Sequence, residues 1–143
     1  MDRKKTPKII YIIAILTGLT ITRIQAGMFI SSLEMFEGHS PNAWLGPWVT
    51  DSILGLLLPV IIYFILKGKG IKTWALILIY SVIGAFDYLN GLITQWQDPL
   101  PKEMVSEKLV FASLTASIIF QLTAILLLFK TSVMNHFGIT KNS

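Results

Sequence analysis

The chain has 143 residues, of which 53% are hydrophobic and 14% are charged, with a formal net charge of +4 and no cysteine. Soluble domains carry about a quarter of charged residues, so this composition is typical of an integral membrane protein. Without cysteine, disulfide, zinc–thiolate and iron–sulfur chemistry are excluded.

Four apolar segments predict helices over about residues 8–33, 48–66, 73–96 and 107–130. Each has about 20 predominantly apolar residues in sequence, the length that crosses the hydrocarbon core at a rise of 1.5 Å per residue. None alternates polar and apolar residues as a barrel strand would. The sequence therefore predicts a single domain, residues 1–143, that is an all-α integral membrane protein with a four-transmembrane-helix bundle.

The first segment has two interpretations. A lysine-rich start before an apolar run also fits a secretory signal peptide, with cleavage after Ala26. Against this, Ile24 stands where cleavage needs a small residue, and Arg23 lies in the cleavage region. We favour a first transmembrane helix that is retained, and cleavage stays the alternative.

The basic residues are concentrated on one side of the predicted bundle. They precede the first helix, separate the second from the third, and follow the fourth, whereas the other two loops carry mainly Asp and Glu. Because basic loops stay in the cytoplasm, we predict a multi-pass plasma-membrane protein with both termini cytoplasmic. The lysines lack the interleaved aromatics and glycines of nucleic-acid-binding modules, so we expect no nucleic-acid partner. The basic side comprises Arg3, Lys4, Lys5, Lys8, Lys67, Lys69, Lys72, Lys130 and Lys141.

Three formal charges lie well inside the predicted helices, away from the helix ends. Arg23 and Asp87 are each fifteen residues from the nearest lysine of the basic side, about 22 Å along a helix. Asp51 is sixteen residues away, at about 24 Å. A lone charge in hydrocarbon costs several kcal/mol, so such groups face the bundle interior and pair. We predict an Arg23–Asp87 pair with Asp51 as the second carboxylate.

One guanidinium facing two carboxylates leaves a formal charge of −1. One aspartate is therefore expected to carry a proton, or to face water or a cation. Polar side chains at similar or lower heights are expected to complete the hydrogen bonds, namely Gln25, Tyr88, Asn90 and Gln121. Helix packing is assigned to small residues and one proline, namely Gly18, Gly55, Pro59, Gly84 and Gly91.

The remaining residues indicate little chemistry. His39 and His136 lie on opposite sides of the membrane in the predicted topology, so they cannot share a metal. Glu34 and Glu37 near His39 are interpreted as solvent-facing. No nucleophile constellation or glycine-rich phosphate loop is visible, so we expect no enzyme activity, no metal and no cofactor.

The pattern Asp51-x3-Gly55-x3-Pro59, followed by Gly84-x2-Asp87, resembles a group of uncharacterised multi-pass prokaryotic membrane proteins. In that group a Trp-Gly-Asp helix ending in proline precedes a Gly-x2-Asp helix. The resemblance covers about a third of the chain and implies that the two aspartates form a matched pair. It implies no activity.

Two functions fit these observations. The first is a non-catalytic structural or accessory subunit of a larger integral-membrane complex, of respiratory or oxidase/monooxygenase type. The alternative is a small homo-oligomeric carrier or channel that uses the Arg–Asp–Asp cluster for a proton, an ion or a polar solute. The expected partners are membrane lipid and either other membrane subunits or further copies of the chain.

Overall fold

The computed structural model describes residues 6–35, 42–103 and 105–139. Within these ranges the chain is almost entirely helical and contains no strand. The sequence predictions for Arg3, Lys4, Lys5, Glu37, His39 and Lys141 lie outside the described residues. The α-helices of the described ranges are α1 (Lys8–Gly18), α2 (Ala26–Ile30), α3 (Leu45–Lys67), α4 (Gly70–Gln97), α5 (Glu107–Leu128) and α6 (Thr131–His136).

Four helical segments of the described chain are long and apolar enough to cross a membrane. They are Lys8–Ile30, hereafter the first span, and the helices α3, α4 and α5. This finding confirms the predicted all-α class with four candidate spans. Both α3 and α4 begin three residues before the predicted starts, and α6 was not predicted.

The four spans form a ring in which each contacts its two neighbours. The first span packs against α3 and α5, and α4 packs against the same two helices from the other side. One end of the ring, the lysine end, carries the α3–α4 turn and α6. The opposite end, the loop end, is where residues 98–106 connect α4 to α5.

An apolar core fills the lysine end of the ring. Isoleucine and leucine side chains from all four spans meet there, and α6 covers them with Val133 and Phe137. The backbone N–H of Gly70 donates to the carbonyl of Phe137 at 2.9 Å, which ties α6 to the α3–α4 turn. The central residues of this core are Ile10, Ile13, Leu58, Ile61, Ile65, Ile77, Ala124 and Leu128.

The first span is not a continuous α-helix, because Leu19–Gln25 forms a 3₁₀-helix. The buried residues here recur every three positions, at Thr17, Thr20, Arg23 and Ala26. Nine residues of α-helix make about 2.5 turns, so the two ends of this series would face opposite ways. At three residues per turn they share one face. The 3₁₀ stretch thereby directs Arg23 into the ring.

Candidate functional site

Gly55 brings α3 into direct contact with the 3₁₀ stretch. A Cβ at this position would lie 2.8 Å from Cα and 2.9 Å from N of Ile24, closer than real Cβ atoms approach any backbone. Asp51 lies one helical turn from Gly55 and therefore meets Arg23, the sequence neighbour of Ile24. The close approach predicted for Gly55 is the feature that assembles the site.

Arg23 is almost completely buried, with 2% of its surface exposed. Its Nε lies 3.1 Å from Oδ1 of Asp51 and donates to the hydroxyl of Tyr88 at 3.2 Å. The guanidinium stacks on the Tyr88 ring, with Cζ 4.2 Å from the ring centroid, a favourable cation–π geometry. Nη2 donates to the carbonyl of Gly84 at 3.4 Å. Contacts from α3 and α4 thus hold Arg23.

The predicted Arg23–Asp87 ion pair is wrong. Among the described residues, the partner of Arg23 within 4.0 Å is Asp51, and Asp87 makes no such contact. The three charges do share one layer, as their heights along the helices predicted. Height does not specify which carboxylate faces the guanidinium, because that depends on the contact between Gly55 and the 3₁₀ stretch.

Asp87 instead shares a cavity with the other carboxylate. The Asp51 and Asp87 side chains both line this cavity, together with Tyr88, which contacts Arg23. An ionised carboxylate only accepts hydrogen bonds, so a hydrogen bond between two of them requires one shared proton. Two carboxyl groups with one proton, beside one guanidinium, make the cluster neutral.

The supporting residues divide into three groups. Tyr88 belongs to the cluster, and Gln25, although exposed, lines a cavity together with Arg23 and Asp51. Asn90 is exposed and faces away from the cluster, so its predicted supporting role is wrong. Gln121 is buried, yet neither of its polar atoms has a hydrogen-bond partner among the described residues. Nη1 of Arg23 is likewise buried without a partner. Buried groups that could form further hydrogen bonds therefore remain beside the ion pair.

The residues predicted to pack the helices differ in how closely their neighbours approach them. A Cβ on Gly84 would meet Gln121 and Arg23 at 3.0 and 3.1 Å, so this position is tightly filled. A Cβ on Gly91 would make ordinary contact with a leucine side chain at 3.4 Å. Gly18 leaves room for a Cβ, and Pro59 lies on an exposed face of an unbroken helix. The predictions of close packing at these last two positions are wrong.

Two partly open cavities adjoin the cluster. The larger, of about 250 Å³, extends from Asp51 and Asp87 towards the loop end. The smaller, of about 160 Å³, lies between the 3₁₀ stretch and α5 and is lined by Arg23 and Asp51. Trp48 lines both. The space exists because α5 packs along α1 but has few contacts with the 3₁₀ stretch.

Aromatic residues of these cavities were missed as site residues by sequence reasoning. Trp44 and Trp48 lie with ring centroids 5.9 Å apart, and Phe29 lies 5.7 Å from Trp48. Nε1 of Trp44 donates to the carbonyl of Asp98 at 3.0 Å, which fixes its ring beside the α4–α5 connection. Trp48 follows Trp44 by four residues, and Asp51 follows Trp48 by three, so a helix places the three side chains on one face. This spacing could have identified the tryptophans as neighbours of Asp51.

Among the residues that the structure describes, no group of three His, Cys, Asp or Glu side chains could hold a metal ion. Comparison of the chain with protein-family models, with curated proteins and with solved structures gave no match. The resemblance to the uncharacterised prokaryotic group stays a prediction.

Proposed function

We propose that this protein is a small carrier of the plasma membrane, working as a homo-oligomer, which binds a proton or small solute at the Arg23–Asp51–Asp87 cluster. The observation that supports this function most is that both carboxyl groups line a partly open cavity of about 250 Å³. An ion pair that only braces helices gains most when it is sealed from water, because water weakens its Coulomb energy. The Asp51 side chain is 18% exposed.

The two ends of the ring differ in a way that suits a carrier. Cavities reach the cluster from the loop-end half, whereas packed apolar side chains close the lysine end. A site open to one side and closed to the other is one of the two states that alternating access requires. In this proposal the lysine-end core separates to release the solute.

We assign the lysine end to the cytoplasm and the loop end to the outside. The support is the distribution of charge, since basic residues are retained on the cytoplasmic side of bacterial and other plasma membranes. In this orientation the cavities face outward. The lysines of the described chain at this end are Lys8, Lys67, Lys69, Lys72 and Lys130.

The homo-oligomer is supported by the exposure of α5. In the most apolar window of α5, 11% of residues are buried, against 28–39% in the other three spans. A pathway enclosed by four helices alone would leave this helix facing lipid beside the smaller cavity. A second copy packed along α5 would close that side.

Reconstituted protein on a solid-supported membrane tests the carrier with an acid jump on the loop-end side. We expect a transient proton current from the wild type and from Glu103→Gln, which removes an exposed carboxylate outside the site. Asp87→Asn should give no current while eluting at the same size as the wild type. Equal currents from Asp87→Asn and wild type, or no current from the wild type, would contradict the proposal.

The same exposure of α5 also favours a second candidate, an accessory subunit of a larger membrane complex whose other subunits cover this helix. Native mass spectrometry after extraction with mild detergent separates the two. Stoichiometric association with different membrane subunits would support the accessory subunit. A homo-oligomer, free of other subunits, would support the carrier.

A further inference from the structure

We infer that the solute is a small organic monocation with an apolar body, and that it enters in exchange for the proton shared by Asp51 and Asp87. This inference rests on the proposed carrier function and specifies what that site selects. It follows from the charge of the cluster, the composition of the larger cavity and the volume of that cavity.

The two carboxylates and one guanidinium of the cluster sum to a charge of −1, which one proton or one monovalent cation would neutralise. Arg23 from the 3₁₀ stretch offsets the charge of Asp51 from α3, its ion-pair partner, and leaves the carboxyl group of Asp87 from α4 without a basic partner among the described residues. The contacting groups from α4 and α5 are uncharged phenols, hydroxyls and an amide. With its proton the cluster is neutral, and without it the charge is −1. The uncharged polar neighbours are Thr20, Tyr80, Tyr88, Ser117 and Gln121.

The larger cavity is suited to cations and opposes anions. Its lining includes both carboxyl groups, and no basic side chain is among the described residues that line it. Of these two cavities, Arg23 lines the smaller one. An anion in the larger cavity would therefore find no basic side chain to pair with. A cation would lie beside the carboxyl groups of Asp51 and Asp87.

The walls of the larger cavity indicate an organic cation. Hard metal cations take about six or more oxygen ligands, and two carboxyl groups beside apolar walls supply too few. Indole faces attract ammonium groups, and Trp44 and Trp48 line the same cavity as the carboxyl groups of Asp51 and Asp87. Apolar side chains complete the walls, namely Pro47, Leu100, Val105, Leu109, Val110 and Leu114.

The volume limits the size of the solute. Sites for drug-sized molecules occupy about 300–1,000 Å³, and this cavity measures about 250 Å³. A methylated ammonium ion with a short carbon chain fits this space, whereas a lipid does not. The solute is thus a small amine or quaternary ammonium ion.

The exchange conserves charge. When the cation enters, the O–H bond of the shared carboxyl breaks, and the proton leaves to water in the cavity. Asp51 and Asp87 are then both carboxylates, and the ammonium group takes the place of the proton between them. Binding releases one proton, so acid competes with the solute.

Choline and its uncharged carbon isostere, dimethylbutanol, are the probes that test the inference. Calorimetry on purified wild-type protein in nanodiscs, repeated in two buffers of different ionisation enthalpy, gives affinity and the number of protons released. We expect choline to release about one proton and to bind about tenfold or more tightly than dimethylbutanol. Glu103→Gln should match the wild type, and Asp87→Asn should release no proton.

Each contrary result has a separate meaning. Equal affinity for dimethylbutanol, or choline binding without proton release, would overturn the inferred exchange and leave the carrier intact. Absence of choline binding by protein that still gives the acid-jump current would overturn the cation class alone. Loss of that current from the wild type is the failure of the carrier itself.

Discussion

Gln121 of α5 lies directly over Gly84 of α4, with its Nε2 3.0 Å from the point that a Cβ on residue 84 would occupy. The missing side chain at Gly84 gives the amide its space beside Nη1 of Arg23, which lies 3.1 Å from the same point. Neither polar atom of Gln121 has a partner among the described residues. A buried polar group left unpaired costs about 1–3 kcal/mol.

Replacement of Gln121 by methionine should therefore stabilise the protein. Gln121→Met keeps the length of the side chain and removes two unpaired polar atoms, so we expect the free energy of unfolding to rise by about 1 kcal/mol. Thermal unfolding in detergent measures the change. The control Gln97→Met, at an exposed position of α4, should leave the melting temperature within error. A lower melting temperature for Gln121→Met would show that the amide is satisfied in the native protein.

The sequence was sufficient to predict the four spans and the common height of the three charges. Both follow from the rise of 1.5 Å per residue of an α-helix, which converts a number of residues into a length. The burial of Arg23 and Asp87 followed in turn, since an unpaired charge in hydrocarbon is too costly.

The faces of the helices could not be predicted in the same way. Asn90 has the predicted height but faces away from the cluster, because height along a helix is independent of rotation about its axis. In the first span, the 3₁₀ stretch changes that rotation over seven residues. Its β-branched threonines and isoleucines are weak helix formers, but this weakness does not specify a 3₁₀ geometry. The cavities depend on how far α5 stands from the 3₁₀ stretch, which no local pattern encodes.

Removal of the guanidinium should be strongly destabilising. Arg23→Met preserves much of the side-chain length but leaves the partly buried Asp51 and the buried Asp87 without a positive partner, so we expect a loss of about 3 kcal/mol in the free energy of unfolding. Adding Asp51→Asn removes the stranded partner and should recover part of that loss. Chemical unfolding of the wild type and of both variants in detergent measures the two steps. If the double variant were less stable than Arg23→Met, the pairing of Arg23 with Asp51 would be refuted.

The exposed pair Lys102–Glu107, with nitrogen and oxygen 3.6 Å apart, is the matched control for that experiment. Both side chains face solvent, where an ion pair contributes about 0–1 kcal/mol. Lys102→Met should therefore change the free energy of unfolding by less than about 1 kcal/mol. A similar loss from Lys102→Met and Arg23→Met would mean that charge removal in general, rather than burial of the pair, is responsible.

Two glycines of the bundle should respond in opposite directions to alanine. Gly55→Ala places a Cβ 2.8 Å from the backbone of Ile24, so α3 must move away from the 3₁₀ stretch. We expect a loss of about 1–3 kcal/mol in stability. Gly18→Ala meets only the end of Ile62 at 4.0 Å and should stabilise by about 0.5–1 kcal/mol through reduced backbone entropy. Melting temperatures of both variants measure the contrast, and equal shifts would contradict the close approach at Gly55.

Acid should loosen α6 from the lysine end. Burial and the neighbouring Lys69 lower the pKa of His136, and Nζ of Lys69 lies 2.9 Å from its Nε2. Because the undocked helix takes up the proton more readily, docking is fully retained above the ordinary histidine pKa of about 6.5 and weakens as the pH falls below it.

Hydrogen–deuterium exchange of residues 131–139, corrected for the intrinsic pH dependence of exchange, measures this effect. We expect protection of α6 in the wild type to fall as the pH drops through and below about 6.5. In His136→Gln the side chain keeps a hydrogen-bond acceptor for Lys69 but cannot become charged, so its protection should stay constant. Identical pH profiles for the two proteins would show that protonation of His136 does not control the docking of α6.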